Sequence, residues 1–283
     1  MDLVSGKSKF FFQALFLIIV LISCSKEKSL ETGGAGGNNG GNPGQISRIE
    51  VTGLQNSVAD FSYDSKNKLV RYNVDAKSIA GALVTTFTCT RDASERISRS
   101  IEDYSGSTSQ QFITDFYYAS PTDTKVKYGM RSFELAGLVI EDSILFTYAN
   151  NKVTKTYHYY SFDSGKTYLD FTYTTYAYDG RGNIIETAIY QDAGSGFEIV
   201  QKVKSEFDTK VNPGSFTDDA LIESSVVQYY GPNNPLKQTT EIPLDPSSNF
   251  TLAATYEYRT DGKPSKAAFT TPFGALNASF IYK

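Results

Sequence analysis

A short aromatic hairpin pattern, repeated along the chain, constrains the fold of this sequence most. In residues 61–69 (FSYDSKNKL), two aromatic residues two positions apart precede Asp and Asn, and then an aliphatic residue. Residues 176–184 (YAYDGRGNI) keep the same spacing, and residues 256–264 (YEYRTDGKP) keep it with Pro at the aliphatic place. Two aromatics spaced this way share one strand face, and Asp, Asn and Gly reverse the chain because they tolerate positive φ or bond their own backbone. The pattern therefore predicts consecutive antiparallel hairpins.

Counterparts of the second aromatic residue recur as markers along the chain. The markers are Tyr63, Cys89, Tyr118, Tyr148, Tyr178, Phe207, Tyr230, Tyr258 and Tyr282. Each interval has room for two strands of about ten residues and two turns. We predict an all-β fold over residues 46–283, a single-domain antiparallel up-and-down meander of roughly 14 to 17 strands. Such a long sheet must curve strongly or close into a barrel to hide its edges.

Apolar and polar residues alternate within the predicted strands. Phe197, Ile199, Val203 and Phe207 share one parity and charged residues dominate the other, with Val200 as the exception. This period of two is typical of a half-buried strand. Long helical periodicity is missing, and residues 217–224 (TDDALIES) are the best short helical candidate, with Thr217 as a possible N-cap.

The first residues of the chain have the pattern of a targeting segment. Residues 1–23 join a lysine-bearing head to an apolar run shorter than the about 20 residues that cross a bilayer, which predicts a secretory signal peptide. Residues 21–24 (LISC) resemble the bacterial lipobox, which implies cleavage before Cys24 and attachment of fatty acyl chains such as palmitate to it. Ordinary cleavage beside a chance cysteine is the alternative. Residues 24–45 then form a flexible Gly/Asn-rich tether.

Residues 176–184 resemble the YD motif of RHS/YD repeats, which are more regular and occur in longer chains. With the lipobox-like residues and the tether, the chain is more similar to Bacteroidetes outer-envelope lipoproteins of unknown function, which carry degenerate F-x-Y-D-x-x-G-x-L hairpins. The resemblance spans residues 46–283 and implies a porin-like curved β-meander. It also implies a lipid-anchored place at the outer membrane, facing the periplasm or the cell surface, and it supplies no catalytic residues.

Composition excludes several classes of function. A net charge of -4 does not suit a nucleic-acid partner, and one His with two Cys cannot form a zinc cluster. We therefore expect no cofactor and no metal. His158 is interpreted as a strand-surface residue, and Cys89 as a small buried hydrophobe. Asp64 and Asp179 are interpreted as turn stabilisers in preference to calcium ligands.

Residues 157–178 carry aromatics on both strand parities. One face should belong to the core, and the other would expose phenolic rings to a glycan or a protein partner. The candidate ligand-binding residues are Tyr157, Tyr159, Tyr160, Tyr168, Tyr173 and Tyr176. Cross-strand aromatic pairing that only stabilises the sheet is the structural alternative.

These patterns predict a membrane-anchored, non-catalytic lipoprotein that binds a glycan or an envelope protein, or has a structural role. A polysaccharide-active hydrolase remains an alternative, but its carboxylates would have to come from separate strands. The adjacent acidic pairs at 102–103, 141–142 and 218–219 do not form such a dyad, since neighbouring strand residues point to opposite faces. A barrel embedded in the outer membrane, with its apolar face outward, is the other alternative.

Overall fold

A computed structural model describes most of the chain after residue 44. The described residues are 45–54, 56–78, 81–105, 110–135, 137–163, 167–214, 218–224 and 231–283. The predicted signal peptide, Cys24 and nearly all of the predicted tether lie outside them, as do Thr217 and Tyr230. Within these ranges, no helix has the length and apolarity needed to cross a bilayer.

Sixteen β-strands form the described fold. Their bounds are β1 Ile46–Gly53, β2 Asn56–Tyr63, β3 Leu69–Ser78, β4 Gly81–Arg91, β5 Ile97–Ser105, β6 Gln110–Tyr118, β7 Val126–Leu135, β8 Leu138–Ala149, β9 Lys152–Ser161, β10 Leu169–Tyr178, β11 Ile184–Asp192, β12 Phe197–Val211, β13 Asn233–Glu241, β14 Phe250–Tyr258, β15 Pro264–Thr271 and β16 Gly274–Tyr282. Two 3₁₀ helices, Asp219–Glu223 and Pro246–Ser248, lie in the connections.

Every strand pairs antiparallel with its neighbours in the chain, and β1 pairs with β16 to close the barrel. The predicted all-β meander is confirmed, and the sheet is closed, so no strand edge is left open. Gly53 is required at this seam because its φ is +128° and an added Cβ would stand 2.5 Å from the Ala275 carbonyl oxygen. The seam therefore depends on a position that only glycine fits.

Five of the marker residues hydrogen-bond their hairpin to the preceding one. The hydroxyl of Tyr118 donates to the carbonyl of Ile97 at 2.9 Å, and Tyr178 donates to Val153 at 2.7 Å. The same bond joins Tyr148 to Val126 and Tyr282 to Pro264, and the Cys89 thiol lies 3.1 Å from the Leu69 carbonyl. In each case the acceptor is the first or second residue of a return strand. The repeated aromatic is thus explained by a repeated hydrogen bond between hairpins.

A cation covers the ring of several marker tyrosines. Arg96 lies 4.1 Å from the centroid of the Tyr118 ring, and Lys152 lies 4.8 Å from that of Tyr178. Lys125 covers Tyr148 in the same way, at 4.9 Å. Each cation directly precedes the residue whose carbonyl accepts the tyrosine hydroxyl. Because cation–π contacts favour a ring face under a positive charge, these pairs orient the tyrosines at one end of the barrel.

Tight turns connect the strands at this same end of the barrel, which we call the turn end. The carboxylate of Asp64 accepts hydrogen bonds from the amides of Lys66 and Lys68. Asp179 accepts from three successive amides of its own turn, and Gly182 in that turn has a φ of 102°. The two aspartates therefore stabilise turns, as predicted, by satisfying backbone donors.

The barrel lumen is packed along much of its wall. A barrel of this strand number can leave a water-filled channel. Here inward residues of strands on both sides of the seam form one apolar cluster, which includes Ile49, Phe87 and Leu276 at 0% exposure. Cys89 is buried in this cluster, as predicted, and burial raises the pKa of its thiol to about 11. The part of the lumen beside the seam is therefore a hydrophobic core.

The connection between β12 and β13 sends a segment into this core. We call residues 218–224 the luminal segment. Ala220 and Leu221 of its 3₁₀ helix are buried in the apolar cluster, and Asp218 forms a bidentate ion pair with Arg91 of β4. The predicted short helix is therefore present, but it is 3₁₀, and Asp218 is its N-cap in place of the predicted Thr217.

Strand β12 departs from the predicted single apolar face. Tyr190 pairs with Ile199 and Ile189 pairs with Gln201, so Val200 is an extra residue in a bulge. A bulge reverses the parity that follows it. Ile199 and Val203 consequently lie on opposite faces, and the prediction that they share one is wrong. Val200, the exception in the sequence pattern, marks the bulge.

The hydrogen bonds of the marker residues should contribute measurably to stability. Tyr178→Phe removes the hydroxyl that satisfies the Val153 carbonyl, and we expect the free energy of unfolding to fall by about 1 kcal/mol. Urea denaturation measures this change, with Tyr128→Phe on the outer face as the control. An equal loss in both variants would contradict a specific role for the Tyr178 bond.

Candidate functional site

A group of charged side chains lies inside the barrel beside the apolar cluster. Arg131 of β7, Asp142 of β8 and His158 of β9 point inward from three consecutive strands, and Glu223 reaches them from the luminal segment. We call these four residues the luminal ion network. Asp142 is 1% exposed and Glu223 is 7% exposed. Charges this well buried are costly unless each has a partner.

His158 is the centre of the network. Its Nδ1 lies 3.0 Å from Asp142 Oδ2, and its Nε2 lies 3.1 Å from Glu223 Oε2. Its direct cross-strand partner is Ile144, which is fully buried. The interpretation of His158 as a strand-surface residue is therefore wrong: the imidazole faces the lumen, where two carboxylates bind both of its nitrogens.

Arg131 completes the network. Its Nη1 lies 3.7 Å from Asp142 Oδ2, and its Nη2 donates to the backbone carbonyl of Glu223 at 2.6 Å. Its Nε donates to the hydroxyl of Thr114 at 3.3 Å. The guanidinium thus contacts both the carboxylate of Asp142 on the barrel wall and the backbone of the luminal segment. These contacts hold the luminal segment against the wall.

The network sets the protonation of His158 and Glu223. Burial opposes the charging of His158, but Glu223 and Asp142 outweigh it and raise the pKa of His158 to about 9. Burial likewise opposes ionisation of Glu223, yet the charge and hydrogen bond of His158 outweigh it and lower the pKa of Glu223 to about 2. At neutral pH His158 is therefore an imidazolium and Glu223 is a carboxylate.

This arrangement does not suit acid–base catalysis. A general base in a triad needs one imidazole nitrogen free to take a proton, whereas Asp142 and Glu223 occupy both nitrogens of His158. A glycosidase acid needs a carboxyl with a raised pKa, whereas that of Glu223 is lowered. The geometry of these residues is that of a structural ion network.

Sequence reasoning missed this network, although one signal was present. Asp142 has the same parity as Ile144 and Phe146, two apolar residues that alternate along the same strand. A charge on an apolar parity indicates a buried ion that requires a partner. The partner Glu223 could not be found this way, since it lies on a short 3₁₀ helix far away in sequence.

The outer face carries a second feature, a line of aromatic and aliphatic side chains. Direct cross-strand partners on seven adjacent strands, β6 to β12, form this outer aromatic row: Tyr117, Tyr128, Leu145, Tyr157, Tyr173, Tyr190 and Ile199. Leu145 is 44% exposed between the inward Ile144 and Phe146, so the row faces away from the lumen. The row is continuous because each strand contributes one residue at the same height.

The rings of the row contact one another. The centroids of Tyr117 and Tyr128 are 4.5 Å apart, and those of Tyr173 and Tyr190 are 4.4 Å apart. The ammonium of Lys155 lies 3.5 Å from the Tyr173 centroid and 4.1 Å from that of Tyr157. The row therefore combines stacked phenolic rings with a cation.

The predicted ligand-binding tyrosines divide between the two faces. Tyr157 and Tyr173 belong to the outer aromatic row, and Tyr159 stacks beside Tyr157 at 6.3 Å. Tyr168 precedes β10 and donates to Glu141 at 2.9 Å. Two of the six face inward instead: Tyr160 pairs with the buried Asp142, and the Tyr176 hydroxyl lies 3.3 Å from Glu223.

Sequence reasoning did not connect the row across strands. Tyr117, Tyr128 and Tyr190 belong to it but lie outside residues 157–178, and the ring of Phe197 packs 4.9 Å from Tyr173. Which residues stand at the same height depends on strand register, and the bulges in β10 and β12 shift that register.

Comparisons with solved structures show a likeness of fold to a porin-like protein. No family model matches the chain, and no curated protein matches it. A porin-like protein from Bacteroides vulgatus is similar in structure, with a TM-score of 0.51 and 10% identity, covering 84% of this chain and 98% of that one. A porin-like protein from Bacteroides uniformis has a TM-score of 0.48 and 12% identity, covering 86% and 98%. The first likeness supports the porin-like fold that the resemblance implied.

The luminal ion network should govern the titration of His158. As the only histidine of the chain, it gives a single imidazole signal in NMR. Its contribution to stability should be complete below the ordinary histidine pKa of about 6.5 and be lost as pH rises through about 9. Glu223→Gln should lower the pKa of His158, because an anionic partner is lost.

Asp218→Asn is the matched control for that titration, since Asp218 lies on the same segment and pairs with Arg91. We expect it to leave the pKa of His158 unchanged. A His158 pKa near 6.5 in the unmodified chain would show that the imidazolium pair does not form.

Proposed function

We propose that this chain is a lipid-anchored, non-catalytic binding barrel of the outer envelope, and that the outer aromatic row is its glycan-binding surface. The observation that carries the proposal is the continuity of the row across seven adjacent strands. At the usual strand spacing of about 4.8 Å, its six intervals span about 29 Å. A surface of that shape suits a long linear ligand.

The chemistry of the row favours a glycan. Each tyrosine offers an apolar ring and a hydroxyl, which together suit a sugar with its apolar faces and polar edges. Lys155 adds a hydrogen-bond donor between Tyr157 and Tyr173. An envelope protein is the alternative partner, and a glycan screen distinguishes the two.

The charged residues on the rest of the outer face support a barrel whose outer face contacts water. Ion pairs join adjacent strands on that face: Arg48–Asp60, Arg99–Asp115, Lys204–Glu241, Lys237–Glu206 and Lys266–Glu257. A lipid-facing Lys or Arg at the bilayer midplane costs about 2–4 kcal/mol in a transmembrane barrel. These pairs therefore favour a barrel held beside the membrane over one embedded in it.

The hydrolase alternative has less support. The wall carboxylate Asp142 and the luminal Glu223 come from separate elements, as that hypothesis requires, but His158 bridges them and Arg131 contacts Asp142. Both carboxylates are paired with cationic side chains and are nearly inaccessible to solvent. A binding role is what remains best supported.

A glycan array probed with the detergent-purified full-length chain tests the outer aromatic row. We expect Tyr173→Ala and Tyr159→Ala each to weaken binding of the selected glycan by about tenfold, or about 1.4 kcal/mol, because each removes a ring from the surface. Ile281→Ala, 42% exposed on β16, is the control and should bind normally. Undiminished binding by both tyrosine variants would exclude the row, and an array without any ligand would favour a protein partner.

Fractionation of cells tests the proposed anchor. Cys24→Ala removes the thiol that would carry lipid, so the protein should move from the membrane fraction to the soluble fraction and should no longer incorporate labelled palmitate. Cys89→Ala changes the only other cysteine and should stay in the membrane fraction. Continued membrane association of Cys24→Ala would refute the lipid anchor.

A further inference from the structure

The end of the barrel opposite the turn end exposes apolar side chains at its connections. Six connections at this end lie at least partly within the described residues, and each has a large exposed apolar residue at its tip or next to it. These residues, which we call the apolar rim, are Leu54, Leu138, Phe162, Phe197, Leu244 and Phe273. Leu138 is 58% exposed and Leu244 is 72% exposed. Exposed apolar side chains gathered in one place indicate an interaction site.

The turn end differs in this respect. Within the described residues, none of its connections exposes a large apolar side chain. The exposed aliphatic residues nearest to it, Ile185, Val211 and Ile281, lie on strands β11, β12 and β16. Both ends are built from connections between the same sixteen strands, so a place in a connection does not by itself explain the apolar rim.

The apolar rim is distributed around the barrel. Its members belong to six separate connections, from the one after β1 to the one before β16. The rim also continues across the seam, because an added Cβ at Gly274, the residue after Phe273, would stand 3.1 Å from Leu54 Cδ1. At the usual strand spacing of about 4.8 Å, sixteen strands have a perimeter of roughly 80 Å. A ring of separate tips does not form a groove for a peptide or a helix, whereas a flat, deformable surface can contact all of them at once.

The charged groups of these connections are few and have partners. Within the described part of the connections, Asp163 and Asp245 are the only charged residues. Asp163 accepts hydrogen bonds from the Ser161 hydroxyl at 2.8 Å and from the Thr167 amide at 2.9 Å, and Asp245 accepts one from the Ser247 hydroxyl. The described connections therefore offer apolar contact without a cation that would attract an anionic surface.

We propose that the apolar rim rests on a lipid bilayer and inserts its side chains into a zwitterionic membrane surface. Segments that bind at a membrane surface bury their apolar side chains about 5–10 Å deep, at the boundary between headgroups and acyl chains. The barrel stands on this end, and its wall, with the ion pairs of the outer face, stays in water. The outer aromatic row lies on that wall, so the membrane contact does not depend on it.

The proposed lipid anchor is compatible with this orientation. β1 begins with Ile46 at the turn end, so the predicted tether, residues 24–45, joins the barrel at the end away from the rim. An extended chain spans about 3.3–3.6 Å per residue, and the tether can therefore reach about 75 Å. Strands of about nine residues make the barrel only about 30 Å tall. A lipid on Cys24 can thus enter the same membrane that the rim contacts.

A tryptophan reporter tests the contact, because the chain has no tryptophan of its own. Full-length Leu138→Trp and Ile281→Trp place one reporter on the apolar rim and one near the turn end, and each is mixed with phosphatidylcholine vesicles with or without bromine on the acyl chains. We expect brominated lipid to reduce the emission of Leu138→Trp at least about twofold, since an inserted side chain reaches the acyl chains. The emission of Ile281→Trp should not change. Circular dichroism establishes that each variant is folded.

Equal emission of Leu138→Trp with ordinary and brominated lipid would overturn the proposal and would leave a protein as the occupant of the rim. Equal quenching of both reporters would also overturn it, because the barrel would then have no preferred end at the membrane. Replacing part of the phosphatidylcholine with phosphatidylglycerol should leave the quenching of Leu138→Trp unchanged. Quenching that requires the anionic lipid would contradict an apolar contact.

Further substitutions in the Leu138→Trp chain locate the contact. Leu244→Ser with Phe273→Ser removes two other members of the apolar rim and should abolish the quenching by brominated lipid, because the burial of their apolar surface is lost. Ile185→Ser with Ile281→Ser is the matched control, since it removes two exposed aliphatic side chains from the barrel wall, and it should leave the quenching unchanged. Equal effects of the two pairs would refute a role of the rim, whatever the outcome for the outer aromatic row.

Discussion

Closure of the sheet between β1 and β16 is the contact on which the rest of the barrel depends. It pairs residues near the start of the described chain with the last strand, from Ile46 opposite Tyr282 to Gly53 opposite Leu276. An open sheet of this length would expose two unpaired edges. Once closed, the barrel has an inside and an outside, and the period-two alternation of every strand is divided between core and solvent.

Closure also encloses a wide interior that side chains must fill, and the luminal segment fills part of it. A barrel of sixteen strands is wide. The inward residues near the seam fill their part of the lumen with apolar side chains, whereas β7 to β9 present Arg131, Asp142 and His158. The luminal segment supplies Leu221 to the first region and Glu223 to the second. One short connection thus contributes both to the hydrophobic core and to the luminal ion network.

The same repeat unit that builds the fold also builds the turn end. The cations over Tyr118, Tyr148 and Tyr178 each precede the residue that accepts the tyrosine hydroxyl. A requirement for hairpin packing therefore places lysines around the mouth of the barrel.

The sequence alone determined the strand meander, the Asp and Asn turns and the burial of Cys89, because each depends on residues close in the chain or on their parity. It did not determine which outer residues align, since the bulge at Val200 shifts the register between β11 and β12. Nor did it place His158 inside, because parity assigns a residue to a face and only closure decides which face is the lumen. The partnership of His158 with Glu223 was decided by tertiary structure, since it joins a strand to a segment that crosses the barrel interior. Contacts between residues close in the chain can be predicted from the sequence, whereas contacts between distant elements form only when the closed sheet brings them together.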